Sequence, residues 1–164
     1  MKKRKRLLFI CQGAIIAAAY VVLTYLSSMV GLSSGVIQIR LSEMLCILPV
    51  FTPAAIPGLY LGCLLANILT GAVWLDVLVG PIATLIGALG TYALRKNKWL
   101  APLPPVLSNA LIVPFVLAYG YEMSEAISVM MLTVGIGEII SAGILGMILY
   151  FALYKNSERI FRIE

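Results

Sequence analysis

Long apolar runs, broken by short polar or proline-containing stretches, are the main pattern of this chain. Because a helix needs about 20 consecutive apolar residues to cross a bilayer, the runs predict helices. They cover approximately residues 7–30, 40–51, 54–70, 75–94, 102–120 and 125–154. The pattern therefore predicts an all-α integral membrane protein of six transmembrane helices, with a single membrane domain over residues 1–164.

The second predicted helix is short for a full crossing. A Gly/Ser-rich loop, Gly31 to Gly35, precedes it. Pro49, Pro53 and Pro57 force a break and a tight turn at its end, because proline cannot donate a backbone hydrogen bond.

Basic residues lie in short clusters at the ends of the apolar runs. Eleven of the twelve fall within residues 2–6, 95–98 and 155–162, and Arg40 is the exception. Such clusters mark the cytoplasmic side of membrane proteins. Six crossings leave both termini on one side, and all three clusters fall on that side, with Glu122 and Glu125 opposite. We therefore expect cytoplasmic N and C termini.

Composition supports lipid as the solvent. The chain is 62% hydrophobic and 12% charged, with a mean hydropathy of +1.03, whereas soluble domains are about 25% charged. The net charge of +5 is clustered, and no continuous basic face is present for nucleic acid. The basic start followed by an apolar run resembles a signal peptide, but the run is too long, so we expect a retained first helix.

Several kinds of chemistry have no support in the sequence. Cys11, Cys46 and Cys63 have no paired spacing and are expected to be small buried apolar residues, and histidine is absent. No nucleotide-binding G-x-x-x-x-G-K-[ST] segment and no hydrolase motif occurs. We expect no enzymatic activity, no cofactor and no metal, and the chain cannot be its own ATP motor.

Ionisable side chains inside the apolar runs are the candidate functional residues. Between Leu7 and Leu94, with Tyr and Cys set aside, they are Arg40, Glu43 and Asp76. A charge at the bilayer centre costs about 2.5–3.5 kcal/mol on insertion scales, so such groups usually face a partner or a cavity. Arg40 and Glu43 are three residues apart, and the pattern leaves open a stabilising ion pair or a functional role. Asp76 is expected to be solvated or to cap its helix.

Glu138 has the weakest structural explanation of the acids. It lies about 20 Å along the last helix, which rises 1.5 Å per residue, and no cation is near it in sequence. We therefore expect it to bind a ligand.

Amide side chains accompany these acids. Asn67 and Asn109 lie inside predicted spans, where interhelical hydrogen bonds are the alternative to ligand binding. The predicted topology places one polar group in the outer half of the membrane: Gln38, Arg40, Glu43, Asn67 and Asp76, with Tyr20, Thr24 and Tyr25 able to reach the same level. These residues predict an outward-opening pocket with excess acid, suited to a flat nitrogen-rich heterocycle bearing an amine.

Small residues form a strip on the first helix. Gly13 and Ala17, and Ala14 and Ala18, have the spacing that allows close helix approach. Both packing within the chain and docking on another membrane subunit remain open.

Five segments resemble the QueT family of queuosine-precursor transporters. They are spread in order over nearly the whole chain: Ile39-Arg40-Leu41-Ser42-Glu43, the stretch LPVFTPAAIPG at 48–58, GCLLAN at 62–67, NALIV at 109–113 and VGIGE at 134–138.

The resemblance implies a substrate-binding S component of an energy-coupling factor (ECF) transporter in a bacterial cell membrane. Such components capture solute outside and topple in the membrane to release it inward. They dock on a membrane T component coupled to two cytosolic ATPases. The implied substrate is a 7-deazaguanine such as the aminomethyl form or queuine. Binding roles carry over to Glu43, Asn67, Asn109, Glu138, Arg40, Asp76 and Gln38, and docking to the small-residue strip.

Three alternatives remain open at this point. The chain could be an S component for another vitamin, a structural membrane protein whose polar residues only join helices, or a stand-alone carrier. Asn109 fits the implied site least well, because the predicted topology places it nearer the cytoplasmic side.

Overall fold

The computed structural model describes residues 2–32 and 37–161, and every regular element in these residues is helical. A 3₁₀ helix, Leu41–Val50, lies between α1 and α2. The α-helices are α1 (Lys2–Met29), α2 (Ala55–Leu69), α3 (Trp74–Ala93), α4 (Leu103–Gly120), α5 (Ile127–Glu138), α6 (Gly146–Tyr154) and α7 (Ser157–Phe161). A π-helical segment, Ile139–Leu145, joins α5 to α6. Most of the predicted Gly31–Gly35 loop falls outside the described residues.

Four helices are long and apolar enough to cross a membrane. They are Lys3–Met29, Trp74–Ala93, Leu103–Gly120 and the continuous helix Ile127–Tyr154. Their outward side chains are apolar, as lipid requires, for example Ile10, Leu78, Leu111 and Ile148. The prediction of an all-α membrane protein is confirmed to this extent. The 3₁₀ helix and α2 are shorter than a full span, so six crossings remain a prediction.

The 3₁₀ helix occupies the interior of the bundle. It coincides with the second predicted helix, and seven of its ten residues are buried. It packs against α1, α2, α3, the π-helical segment and α6. At about 2.0 Å per residue, ten residues extend for about 20 Å. The short apolar run is therefore a central element covered by other helices, and it places Glu43 among them.

Small residues set the distance between α1 and α2. A Cβ atom on Gly58 would lie 2.7 Å from the carbonyl oxygen of Gly13, and one on Gly62 would lie 3.0 Å from Cα of Ala17. Gly13 and Ala17 are thus occupied by packing within the chain. Ala14 and Ala18 are exposed on the other side of α1, and only they remain open to a partner.

Gly137 lets an extended segment lie directly on α5. A Cβ atom on Gly137 would lie 2.1 Å from the carbonyl oxygen of Gln38. The backbone at Gln38 therefore lies against α5 at Gly137, the residue just before Glu138. This approach brings the chain just ahead of the 3₁₀ helix next to the acid of α5.

Replacing Gly137 with alanine is expected to destabilise the protein by about 1–3 kcal/mol, because the added methyl group must displace backbone. Gly135→Ala is the matched control, since its Cβ would meet only Ala110 at 3.6 Å. Thermal unfolding in detergent measures both variants. Equal melting temperatures for the two would contradict the close approach of Gln38 to α5.

Candidate functional site

Glu43 is a carboxylate held by three donors from three elements. It is 2% exposed. The Tyr20 hydroxyl of α1 donates to Oε1. The Cys46 thiol lies 3.2 Å from Oε2, and Asn109 Nδ2 of α4 lies 3.4 Å from the same oxygen. Glu43 is therefore fixed in position by the surrounding helices.

Glu138 shares its amide donor with Glu43. Asn109 Nδ2 donates to Glu138 Oε1 at 2.9 Å, and Glu138 is 8% exposed. Its second oxygen, Oε2, has no hydrogen-bond partner among the described residues. One amide nitrogen thus bridges two buried carboxylates. Asn109 belongs to this cluster, although the sequence alone placed it nearer the cytoplasmic side than the acids.

Asp76 is the centre of a second polar cluster. It is 2% exposed, and Tyr121 donates to its Oδ2 at 3.2 Å. Asn67 Nδ2 donates to the Asp76 carbonyl at 2.9 Å. The other carboxylate oxygen, Oδ1, has no partner in the described part of the chain. Asp76 neither caps α3, whose N-cap is Val73 without a side-chain bond, nor is solvated, so that prediction is wrong.

Arg40 pairs with Asp76 and not with Glu43. The Arg40 Nη2 to Asp76 Oδ2 distance is 3.7 Å, and this is the ion pair that the described residues show for Arg40. An ion pair with Glu43, which the sequence left open, would require both residues to lie on one helix. Arg40 is extended, with φ −105° and ψ 108°, and the 3₁₀ helix starts one residue later. The spacing of three therefore does not place the two side chains on one helical face.

Gly80 provides the room for this second cluster. A Cβ atom there would lie 2.7 Å from Asp76 Oδ1 and 2.9 Å from Asn67 Nδ2. Tyr121 closes the cluster from the end of α4. Burial, and after it the Asp76 carboxylate, raises the pKa of the Tyr121 phenol, so the hydroxyl stays protonated as a donor at neutral pH.

Two adjoining cavities connect these clusters. The outer cavity has a volume of about 280 Å³, and its polar lining includes Thr24, Ser28, Asn67, Thr70, Asp76 and Tyr121. The inner cavity has a volume of about 20 Å³, and its polar lining includes Glu43, Thr84, Asn109 and Glu138. Gln38 and Arg40 line both. All seven residues predicted to bind substrate therefore line one or both cavities.

Sequence reasoning missed some residues of the site and misplaced others. Tyr121 follows α4 in a polar loop, and nothing in its surroundings distinguished it from an interfacial tyrosine. Cys46 was expected to be a bland apolar residue, but it donates to Glu43. Tyr25 was expected near the pocket, whereas its hydroxyl donates to the Leu69 carbonyl at 2.8 Å and ties α1 to α2. Cys11 is exposed rather than buried.

Comparison with known proteins assigns the chain to a family. Residues 10–155, most of the chain, match the QueT transporter family. The chain belongs to the QueT transporter family. That family is one of transporters, not of enzymes.

A curated relative of this QueT-family chain is named "Queuosine precursor transporter QueT" and comes from Lactococcus lactis subsp. cremoris (strain MG1363). The two are 41% identical over 73 residues. The match covers 44% of this chain and 43% of the relative, so the chain spans less than half the length of that protein in the comparison. No solved structure matches the chain.

In this QueT-family protein, the Asn109–Glu138 bond is expected to make the two residues energetically coupled. Asn109→Leu removes a donor from both Glu43 and Glu138, whereas in a Glu138→Gln background the same change affects only one acid, Glu43, which keeps two other donors. Thermal unfolding of both single variants and the double variant is expected to give a coupling of about 0.5–3 kcal/mol. Asn67→Leu combined with Glu138→Gln is the control and should be additive, because Asn67 bonds to Asp76. Additive effects in both pairs would contradict the bridge.

Proposed function

We propose that the chain is the substrate-binding S component of an ECF-type uptake transporter and that it imports a queuosine precursor, a 7-deazaguanine. Family membership supports a transport role, and the name of the Lactococcus relative supports this substrate class. One observation carries the proposal from geometry. Two adjoining polar cavities in an apolar bundle are lined by two buried acids, and each acid has one oxygen without a hydrogen-bond partner among the described residues, Asp76 Oδ1 and Glu138 Oε2.

Unpaired carboxylate oxygens are suited to this ligand. A guanine-like edge offers N–H donors, and a free carboxylate oxygen can accept them. A buried acceptor left without a donor costs about 1–3 kcal/mol, and a ligand that supplies the donor recovers this free energy on binding. We assign the binding roles to Glu138, Glu43, Asn67, Asn109, Arg40, Asp76 and Gln38.

We also propose six passes through a bacterial cell membrane with cytoplasmic termini. Two contacts support a crossing by both the 3₁₀ helix and α2, because the contacts lie at different levels along α1. Thr52, just after the 3₁₀ helix, donates to Gln12 Oε1 at 2.9 Å, which lies near the start of α1. The end of α2 meets the far part of α1 through the Tyr25–Leu69 bond. The 3₁₀ helix and α2 would then each cross the bundle, and the outer cavity, lined by Thr24, would face outside.

The chain has no nucleotide-binding loop of its own, and we propose that ATP hydrolysis on partner subunits drives uptake. We propose docking on a membrane T component that is coupled to two cytosolic ATPases. Ala14 and Ala18 are the exposed small residues of α1, and a flat surface of this kind allows a partner helix to approach closely. Gly13 and Ala17 already contact α2 and would act indirectly.

Glu138→Gln is expected to weaken binding of an aminomethyl deazaguanine by at least about tenfold, measured by calorimetry on the purified protein. The variant keeps the shape of the side chain and removes its charge. Glu122→Gln is the matched control, because Glu122 is exposed in the loop after α4 and lines neither polar cavity. A ligand at a hundred times its Kd should stabilise the unsubstituted protein by about 2.7 kcal/mol. Unchanged affinity in Glu138→Gln would remove this residue from the site.

Ala18→Leu is expected to reduce co-purification with the T component and ATPases while leaving ligand affinity unchanged. The added side chain fills the exposed surface of α1 without entering the bundle. Ala93→Leu adds the same bulk at an exposed position of α3 and should have no effect. Equal recovery of the partners with both variants would argue against docking on α1.

A further inference from the structure

The two cavities differ in size by more than a factor of ten. The inner one, about 20 Å³, has room for a group of the size of one water molecule. The outer one, about 280 Å³, has the larger volume that a bicyclic ring needs. Because Gln38 and Arg40 line both cavities, a ligand in the outer cavity can extend a small group into the inner one.

Two acids in the inner cavity share one amide donor. Glu43 and Glu138 both line it, and Asn109 supplies one nitrogen to the two of them. Glu138 is only 8% exposed, and its Oε2 has no hydrogen-bond partner among the described residues. The cation that also borders this space, Arg40, is paired with Asp76. Glu138 Oε2 in the inner cavity therefore lacks a donor, which a small cationic group of a ligand can supply.

A primary ammonium group has the size, the charge and the hydrogen-bonding capacity that this space lacks. It carries three N–H donors and no acceptor. Hydrogen bonds between an ammonium and a carboxylate are roughly twice as strong as neutral ones. A neutral nitrile or methyl group of similar size cannot donate to Glu138, and a substituted amine carrying a ring would not fit the volume.

We propose that the ligand binds with its amine first. This inference rests on the proposed function and specifies which acid recognises which end of the substrate. The primary ammonium of an aminomethyl deazaguanine enters the inner cavity and donates to Glu138 Oε2. The bicyclic ring occupies the outer cavity, with its N–H edge toward Asp76 Oδ1. Glu138 is then the residue that selects the cationic precursor, and Asp76 binds the part that all the precursors share.

The orientation also accounts for the different surroundings of the two acids. Asp76 has Arg40 beside it and Tyr121 on one oxygen, so its charge is balanced before the ligand arrives. Its free oxygen can accept neutral N–H donors. Glu43 and Glu138 share the inner cavity with Arg40 but make no ion pair with it among the described residues, so a ligand cation can contact them directly.

The test compares three ligands that share one ring system: 7-aminomethyl-7-deazaguanine, its neutral 7-cyano analogue, and an aminomethyl form carrying a cyclopentenediol on nitrogen. Calorimetry on the unsubstituted protein is expected to show the primary amine binding at least about tenfold more tightly than either of the others, because only it makes a charge-assisted bond in the small cavity. This comparison needs no variant, so a folding defect cannot obscure it.

Two variants then assign the ends of the ligand. Glu138→Gln is expected to remove the preference for the amine while changing the affinity for the cyano analogue by less than about threefold, since only a bond to the charged group is lost. Asp76→Asn is expected to weaken both ligands by a similar factor. Loss of the preference in Asp76→Asn instead would reverse the orientation and overturn the inference.

The outcomes separate this inference from the function on which it rests. Equal affinity of the unsubstituted protein for the amine and the cyano analogue would overturn the amine-first orientation and leave deazaguanine import intact. Tighter binding of the amine with the cyclopentenediol would also overturn it, because that group exceeds the inner cavity. Failure of all three ligands to bind would contradict the proposed function itself.

Discussion

Burial of carboxylates in an apolar bundle is the constraint that organises this protein. A charge removed from water is tolerated only with partners that replace its hydration. Asn109 meets this need for two acids at once, since its Nδ2 lies 3.4 Å from Glu43 Oε2 and 2.9 Å from Glu138 Oε1. The 3₁₀ helix, α4 and α5 are thereby connected at one point inside the membrane domain.

Close packing by glycine makes this connection possible. Gly137 allows the segment before the 3₁₀ helix to pass against α5, and Gly80 leaves space beside Asp76. These glycines have no side chain to contribute to a core, and their role is the space that they leave. The same helices that bring the acids together are therefore also those that leave room for a guest between them.

The apolar runs were sufficient to predict the helices, because the bilayer imposes a length on each one. They were not sufficient to predict the character of the second run. The pattern at residues 41–50 predicts a short membrane helix. In the structure these residues form a 3₁₀ helix, and most of them are buried inside the bundle. Coverage by other helices is a property of tertiary packing, and hydropathy along the chain contains no direct signal for it.

The sequence predicted which residues line the site, but not which side chains pair with each other. A charged side chain inside an apolar run costs free energy in the membrane, so Glu43, Asp76 and Glu138 could be singled out from their positions in the sequence. Their partners come from elements distant in sequence: Asn109 is 29 residues from Glu138, and Tyr121 is 45 from Asp76. Local spacing allowed an Arg40–Glu43 pair if both residues were helical, but the backbone at Arg40 is extended and its side chain pairs with Asp76.

The central claim is that the unpaired oxygens of Asp76 and Glu138 exist to hold a solute. The most direct measurement is an experimental structure of the protein with an aminomethyl deazaguanine bound. The account predicts ligand density that spans the two cavities and lies within hydrogen-bond distance of both oxygens. A ligand located elsewhere, with the two carboxylates bonded only to protein groups, would contradict it.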